Sequence, residues 1–151
     1  MPNIVHRIGI ESSPEPVYEA LATKAGVASW WTETVTGESK VGANLQFKFP
    51  DTGPEFKVLE LSPNKQVRWE CVAGPEDWLG TRIHFDISFN EGETTILFKH
   101  CGWREELPFM YHCSSQWAYF LFGLKAELEA GQGAPFGPRF KPISRWSPES
   151  A

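Results

Sequence analysis

Long hydrophobic runs are absent from this sequence. No stretch among its 151 residues approaches the roughly 18 consecutive apolar residues that a membrane-spanning helix requires. The first thirty residues also lack a basic start followed by an apolar stretch of about 7–15 residues, the pattern that indicates a secretory signal. We therefore expect a cytoplasmic protein that does not enter a membrane.

Basic residues are scarce relative to acidic ones. The chain has 14 Lys and Arg residues against 19 Asp and Glu residues, which gives a formal net charge of -5. Nucleic acids and anionic membrane surfaces both attract a basic protein surface. The charge balance therefore excludes nucleic acid and membrane as expected partners, and it mainly favours solubility.

Cysteine is also rare, with only Cys71, Cys101 and Cys113 in the chain. An odd number of widely spaced cysteines predicts reduced thiols rather than a disulfide framework, in agreement with a cytoplasmic location. The dipeptides His100-Cys101 and His112-Cys113 contain ligand types that zinc prefers. However, adjacent residues of a strand point to opposite faces, so we expect no metal site.

Motifs for nucleotide cofactors and for nucleophilic catalysis are missing as well. The sequence contains no glycine-rich phosphate loop, no Gly-x-Ser-x-Gly elbow and no dinucleotide fingerprint. We therefore expect no cofactor, and no set of catalytic residues stands out.

Aromatic residues, by contrast, are abundant. Seven tryptophans and eleven phenylalanines provide more ring volume than a close-packed core of about 150 residues requires. A chain of this length is expected to form one domain. The surplus of rings predicts that some of them line a space instead of filling one.

The first forty residues predict one strand and two short helices. Residues 3–11 alternate as a strand, and Ser13 with Pro14 is typical of a helix start. Gly26 is expected to interrupt this helical region. A second short helical turn is predicted to follow it and to carry Val27, Trp30 and Trp31.

The middle of the chain predicts five antiparallel strands joined by short turns. They are expected at residues 41–49, 55–61, 66–72, 80–89 and 94–101. The only long helix is predicted at residues 109–130, and Gly131 is a suitable stop. The remaining residues, 132–151, are rich in proline and glycine and predict an extended or poorly ordered tail. Its large side chains are Phe136, Phe140 and Trp146.

Several short motifs, taken in order, resemble one known superfamily. They are the strand-to-helix junction at residues 8–21 (IGIESSPEPVYEAL), Trp30-Trp31-Thr32, the strand start at Gly42, residues 57–65 (KVLELSPNK) and the helix end at residues 124–131 (LKAELEAG). Together they resemble the START-like, or SRPBCC, superfamily, and most closely its branch named after the activator of the heat-shock-protein-90 ATPase. The resemblance covers residues 3–131.

The resemblance implies an α+β helix-grip fold. In this fold a curved antiparallel sheet, here expected to have six strands, wraps around the long C-terminal helix, and two short helices follow the first strand. Residues 1–131 would then form a START-like ligand-binding domain, with residues 132–151 as its tail. Members of the superfamily are binders of apolar molecules, co-chaperones or cyclases, so the fold alone does not decide the function.

The expected ligand site is a cavity between the sheet and the long helix, because a curved sheet and one helix leave a gap. Strand alternation and helix phase predict the following lining: Trp31, Phe47, Phe56, Trp69, Phe85, Ile87, Phe98, His100, Met110, Cys113, Trp117 and Leu121. The alternative is that these side chains simply pack against one another in a solid core. The loop at Glu76, Asp77 and Trp78 is predicted to lie over the cavity mouth, either as a gate or as a plain surface hairpin.

His100 is the most informative single candidate, because it shares the apolar phase of its strand. A neutral imidazole there could hydrogen-bond a ligand carbonyl or act as a general base. The alternative is a structural histidine whose hydrogen bonds are satisfied within the protein. No nucleophile or carboxylate partner for it is visible, so catalysis is not the favoured interpretation.

Three functions remain open from the sequence. The leading hypothesis is the binding of a small hydrophobic or aromatic molecule, either lipid-like or a metabolite. The first alternative is a co-chaperone-like interaction module with a chaperone as partner, and the second is a cyclase or hydratase that uses the cavity. A monomer and a homodimer are both compatible with the sequence.

Overall fold

The computed structural model describes residues 1–131, so the predicted tail at residues 132–151 lies outside the described residues. The elements follow in chain order: β1 (Ile4–Ile10), α1 (Pro14–Ala22), α2 (Lys24–Ala28), β2 (Thr34–Gly37), β3 (Asn44–Lys48), β4 (Glu55–Ser62), β5 (Gln66–Ala73), a 3₁₀ turn (Glu76–Trp78), β6 (Arg82–Asn90), β7 (Glu93–Cys101) and α3 (Pro108–Ala130). None of the helices in this part of the chain combines the length and apolar character needed to span a membrane.

The strands form a single curved antiparallel sheet in the order β1-β7-β6-β5-β4-β3-β2. The first strand therefore pairs with the last, with Ile4 opposite His100. The predicted α+β helix-grip fold is confirmed, but the sheet has seven strands instead of six. The additional strand, β2, has only four residues and three of them are exposed, so it carries almost no alternation that a sequence could reveal.

Strand β3 is shorter than the predicted 41–49. It begins at Asn44, and Val41 is 60% exposed instead of sharing the buried face. Gly42 precedes the strand with a φ of 89°, which breaks the extended conformation there. Phe49 follows the last residue of the strand.

The corner between α1 and α2 differs from the prediction in one detail. Ser13 and Pro14 start α1 as expected, but Gly26 lies inside α2 instead of interrupting it. A Cβ atom at Gly26 would lie 2.1 Å from the Glu19 carbonyl oxygen. The glycine is therefore required by the close approach of the two short helices, and Trp30 follows the end of α2.

Inward-facing side chains of the sheet form one continuous core with the helices. Alternate residues along β5, along β7 and along β6 as far as Ile87 are buried, as the period of two predicts, whereas Phe89 near the end of β6 is exposed. The largest fully buried side chains include Trp30, Trp69, Trp103, Phe47, Phe56, Phe85 and Phe98. Most of the abundant rings therefore fill space.

Helix α3 is attached to one side of the sheet, along the edge strand β1. The Lys125 ammonium donates to the Gly9 carbonyl oxygen at 2.6 Å. The His6 ring donates from Nε2 to the Ser114 carbonyl oxygen at 2.9 Å. The first bond engages a backbone carbonyl of β1 and the second a β1 side chain, so both hold α3 against this strand. They also leave the opposite flank of α3 facing β3, β4 and the β5–β6 connection.

We expect opposite effects from adding a methyl group at two glycines. Gly26→Ala should destabilise the protein by about 2–4 kcal/mol, because the new Cβ would meet the Glu19 oxygen and lie 2.6 Å from the Ala20 Cα. Gly123→Ala should stabilise it by up to about 1 kcal/mol, because alanine favours a helix and the nearest atom, the Trp30 oxygen, lies 3.8 Å away. Urea unfolding measures both changes. Equal effects at the two positions would contradict the conclusion that the close approach of α1 and α2 requires glycine at position 26.

Candidate ligand-binding pocket

A pocket of about 310 Å³ opens on the flank of α3 that faces away from β1. Eleven of the described residues line it: Trp31, Phe49, Pro54, Pro75, Trp78, Phe109, His112, Cys113, Gln116, Trp117 and Phe120. None of them is Asp, Glu, Lys or Arg. The pocket is therefore an aromatic concavity with few polar groups, which is the usual composition of a small-molecule site.

Helix α3 supplies the largest share of the pocket wall. Its contributing residues recur at the helical spacing of three and four, and they are Phe109, His112, Cys113, Gln116, Trp117 and Phe120. The opposite wall comes from irregular segments. Phe49 and Pro54 lie in the β3–β4 connection, and Pro75 and Trp78 lie in the β5–β6 connection.

The rings of the wall hold one another in place. The centroids of Trp31 and Trp117 are 4.9 Å apart, and Trp78 stacks on Trp117 at 6.1 Å with an interplanar angle of 17°. Phe49 meets Trp31 edge-on at 5.3 Å. Such contacts add about 0.5–1.5 kcal/mol per ring pair beyond the burial of area. The aromatic surface is therefore ordered by contacts within the described part of the chain.

Three of the twelve predicted lining residues lie in this pocket, namely Trp31, Cys113 and Trp117. The other nine are buried outside its lining: Phe47, Phe56, Trp69, Phe85, Ile87, Phe98, His100, Met110 and Leu121. Their rings interlock, since Trp69 lies 5.3 Å from both Phe47 and Phe85. These side chains therefore fill the region between the sheet and α3, and the pocket lies to one side of the helix.

Eight lining residues were not among the predicted ones: Phe49, Pro54, Pro75, Trp78, Phe109, His112, Gln116 and Phe120. The helical members could have been found by extending the phase of Cys113 and Trp117 along α3 in steps of three and four. The connecting segments carry no such period. Trp78 lies in the loop that was expected at the cavity mouth, and its ring is part of the wall.

His100 is completely buried and does not line the pocket. Its Nδ1 accepts a hydrogen bond from the Trp117 indole N–H at 3.2 Å, so the ring proton is on Nε2. That proton is donated to the Thr81 hydroxyl at 2.8 Å, and the hydroxyl donates to the Trp78 carbonyl oxygen at 2.6 Å. Both ring nitrogens are thus engaged, and His100 fixes two tryptophans of the pocket wall.

Burial determines the charge of the groups in and behind the pocket. It lowers the pKa of His100 to about 3, so this ring is neutral at neutral pH. Burial also raises the pKa of the Cys113 thiol to about 12. The nearby Trp78 indole lowers this pKa, whereas the negative charge of Asp77 raises it further. Burial also lowers the pKa of His112. The pocket is therefore lined by uncharged groups.

The described residues offer no arrangement suited to a metal ion. His100 points into the core, whereas Cys101 is half-buried on the other face of the sheet. Among residues 1–131, no group of three or more His, Cys, Asp or Glu side chains comes together. All three cysteines are free thiols.

His100 should make the stability of the protein depend on pH. Its pKa is near 3 in the folded state and about 6.5 in an unfolded chain, so the unfolded state binds the extra proton below pH 6.5. Stability should therefore be complete above pH 6.5 and fall by about 2–3 kcal/mol between pH 7.5 and 4.5 through this group alone.

His100→Gln removes the titration without adding a charge and serves as the comparison. Urea unfolding at several pH values should give a shallower loss of stability in the variant. The burial-lowered pKa values of His84 and His112 contribute equally to both proteins. Identical pH profiles for the two proteins would contradict a neutral buried His100.

Comparisons with known proteins agree with this architecture. Residues 11–129 match the family described as "Activator of Hsp90 ATPase homolog 1-like protein". A search of curated proteins gives no match. The solution structure of the Aha1 dimer from Colwellia psychrerythraea is 47% identical in sequence and has a TM-score of 0.81, and the alignment covers 88% of this chain and 100% of that chain.

More distant structures share the fold. CalU16 from Micromonospora echinospora has a TM-score of 0.74 at 14% identity, with 88% of this chain and 77% of that chain covered. Protein SSP2350 from Staphylococcus saprophyticus has a TM-score of 0.72 at 16% identity, with 87% and 95% covered. At these identities the likeness shows the fold alone. The family match and the Colwellia structure go further, and this chain belongs to the family of Activator of Hsp90 ATPase homolog 1-like proteins.

Proposed function

We propose that this protein binds a small, largely apolar molecule with an aromatic or similarly flat body. The observation that carries the proposal is the pocket of about 310 Å³ with walls made almost entirely of rings. Pockets for small molecules begin near 300 Å³ and are lined mainly by apolar and aromatic side chains. Membership of a superfamily that includes binders of apolar molecules supports the same conclusion.

The size and chemistry of the pocket restrict the ligand. A volume of about 310 Å³ favours a molecule of two or three rings over a long lipid chain. Gln116 is half-buried and brings one side-chain amide to the wall, so a single polar group on the ligand can be received there. The rest of the affinity would come from apolar burial and ring stacking.

Filling the pocket should abolish binding. N-phenyl-1-naphthylamine, an uncharged fluorescent probe, should bind the wild-type protein, and Gln116→Trp should weaken that binding by at least about tenfold, because an indole would occupy the space. Ser115→Trp is the matched control, since it adds the same side chain to the preceding residue of α3, which is exposed. Calorimetric titration of all three proteins measures the affinities. Equal affinities, or no binding to the wild type, would refute the proposal.

We propose a second role in protein association, as a homodimer. The relative from Colwellia psychrerythraea, at 47% identity, is described as a dimer. The exposed side of α3 is suitable for such a contact, because Tyr111 is 56% and Phe122 61% exposed. No Asp, Glu, Lys or Arg occurs between Pro108 and Leu124. A second copy of the chain could cover this uncharged face without bringing like charges into direct contact. The family name also supports a chaperone as a further partner.

A charge on this face should prevent dimerisation. Phe122→Lys should weaken self-association by at least about tenfold, because the ammonium would have to be buried without a partner. Phe89→Lys is the control, since Phe89 is 51% exposed but lies near the end of β6, outside α3. Sedimentation equilibrium measures the dissociation constants. A monomeric wild-type protein, or equal effects of the two substitutions, would contradict the assignment.

The cyclase or hydratase alternative has weaker support. No carboxylate of residues 1–131 lines the pocket, and burial keeps the Cys113 thiol there protonated. His100 has both ring nitrogens engaged behind the wall. Binding without chemical conversion is therefore the function that we favour.

A further inference from the structure

We propose that the pocket selects its ligands by charge. It accepts neutral or cationic aromatic molecules, such as aryl amines, and rejects the carboxylate or sulfonate analogue of the same ring system. This inference rests on the proposed ligand binding and specifies the class of ligand.

The first argument is that the described residues offer no counter-charge for an anion. None of the lysines and arginines of residues 1–131 lines the pocket. Lys48 and Arg104 are next to pocket segments in the sequence, but neither of them lines the pocket. His112 is neutral, because burial lowers its pKa. An anion would lose its hydration on entry without gaining an ion pair, which is strongly unfavourable.

The second argument is the sign of the charges around the wall. Asp77 and Glu76 lie in the 3₁₀ turn that carries Trp78. Asp77 is close enough to act on the pocket interior, since its negative charge raises the pKa of the Cys113 thiol. The carboxylate of Asp77 therefore produces a negative potential on the side of the pocket formed by the 3₁₀ turn.

The third argument is the nature of the wall itself. Aromatic faces carry a negative quadrupole and attract cations, with tryptophan the most effective ring. Trp31, Trp78 and Trp117 all contribute to the lining. A ring system with an amino group can stack on one tryptophan while its ammonium lies near the face of another or near Asp77.

Two pairs of matched ligands test the inference. N-phenyl-1-naphthylamine and 8-anilino-1-naphthalenesulfonate share the anilinonaphthalene ring system and differ by one sulfonate. 2-Naphthylmethylamine and 2-naphthylacetate carry opposite charges on one naphthalene ring, and they can be measured by displacement of the neutral probe. We expect the sulfonate and the acetate to bind at least about tenfold more weakly than their partners at 0.15 M salt. The Gln116→Trp protein reports any binding outside the pocket.

A variant pair tests the origin of the selectivity. Asp77→Asn should reduce the amine-to-acetate affinity ratio by about fivefold, with an unchanged affinity for the neutral probe. Glu91→Gln removes the same charge from the β6–β7 turn, outside the pocket lining, and should change neither quantity.

The outcomes separate the two proposals. Absence of binding by the neutral probe would overturn both the proposed function and the charge selectivity. Equal binding of the neutral and anionic partners in the pocket would overturn the selectivity alone. A ratio that changes no more in Asp77→Asn than in Glu91→Gln would overturn the role given to the acidic turn.

Discussion

The single long helix α3 is much narrower than the seven-stranded sheet whose apolar face it covers. The rest of the structure follows from this difference in width. Strands about 4.8 Å apart make a sheet roughly 29 Å wide, whereas a helix with its side chains is about 10 Å across. Lys125 and His6 fix α3 at the β1 side. The remaining face has to be covered by α1, α2 and large side chains. Where the connections between strands meet α3 without filling the space, the pocket remains.

The core tryptophans contribute mainly the apolar volume of their indole rings. The indole N–H groups of Trp69 and Trp103 are buried and have no hydrogen-bond partner among the described residues. Each such group costs about 1–3 kcal/mol. The burial of the apolar indole ring has to offset this cost at each of the two positions. The stabilising contribution of Trp69 and Trp103 therefore comes from ring burial and not from hydrogen bonding. Trp30 and Trp117 differ, because their N–H groups donate to the Ala20 carbonyl oxygen and to His100.

The fold could be predicted largely from local patterns. Alternation along β5, β6 and β7, the start at Ser13 and Pro14, and the stop at Gly131 are short-range features that survive in the structure. Strand β2 could not be predicted, because a four-residue edge strand with three exposed positions has no pattern of its own. Its pairing with β3 depends on tertiary structure.

The site was less accessible from the sequence. Strand alternation states which side chains point inward, but not whether the space above them is filled. Phe85 and Trp117 both point inward, yet only Trp117 reaches the pocket. The difference depends on the lateral position of α3, which is set by contacts such as Lys125 to Gly9, more than one hundred residues apart in the chain. Helix phase, applied from Cys113 to Phe120, was the signal that remained usable.

Because of the position of the pocket, residues that stabilise the core are largely distinct from residues that determine the shape and charge of the pocket. Its floor belongs to the interlocked core, but four of its eleven lining residues come from two connections, the β3–β4 turn and the segment around Trp78. Connections tolerate substitution better than buried strands, because fewer packed neighbours constrain them. The His100 network joins the two parts, since it fixes Trp117 from the helix and, through Thr81, the backbone of Trp78. A chain with this fold can therefore change the charge and shape of this pocket at the connections while the sheet and α3 remain as they are.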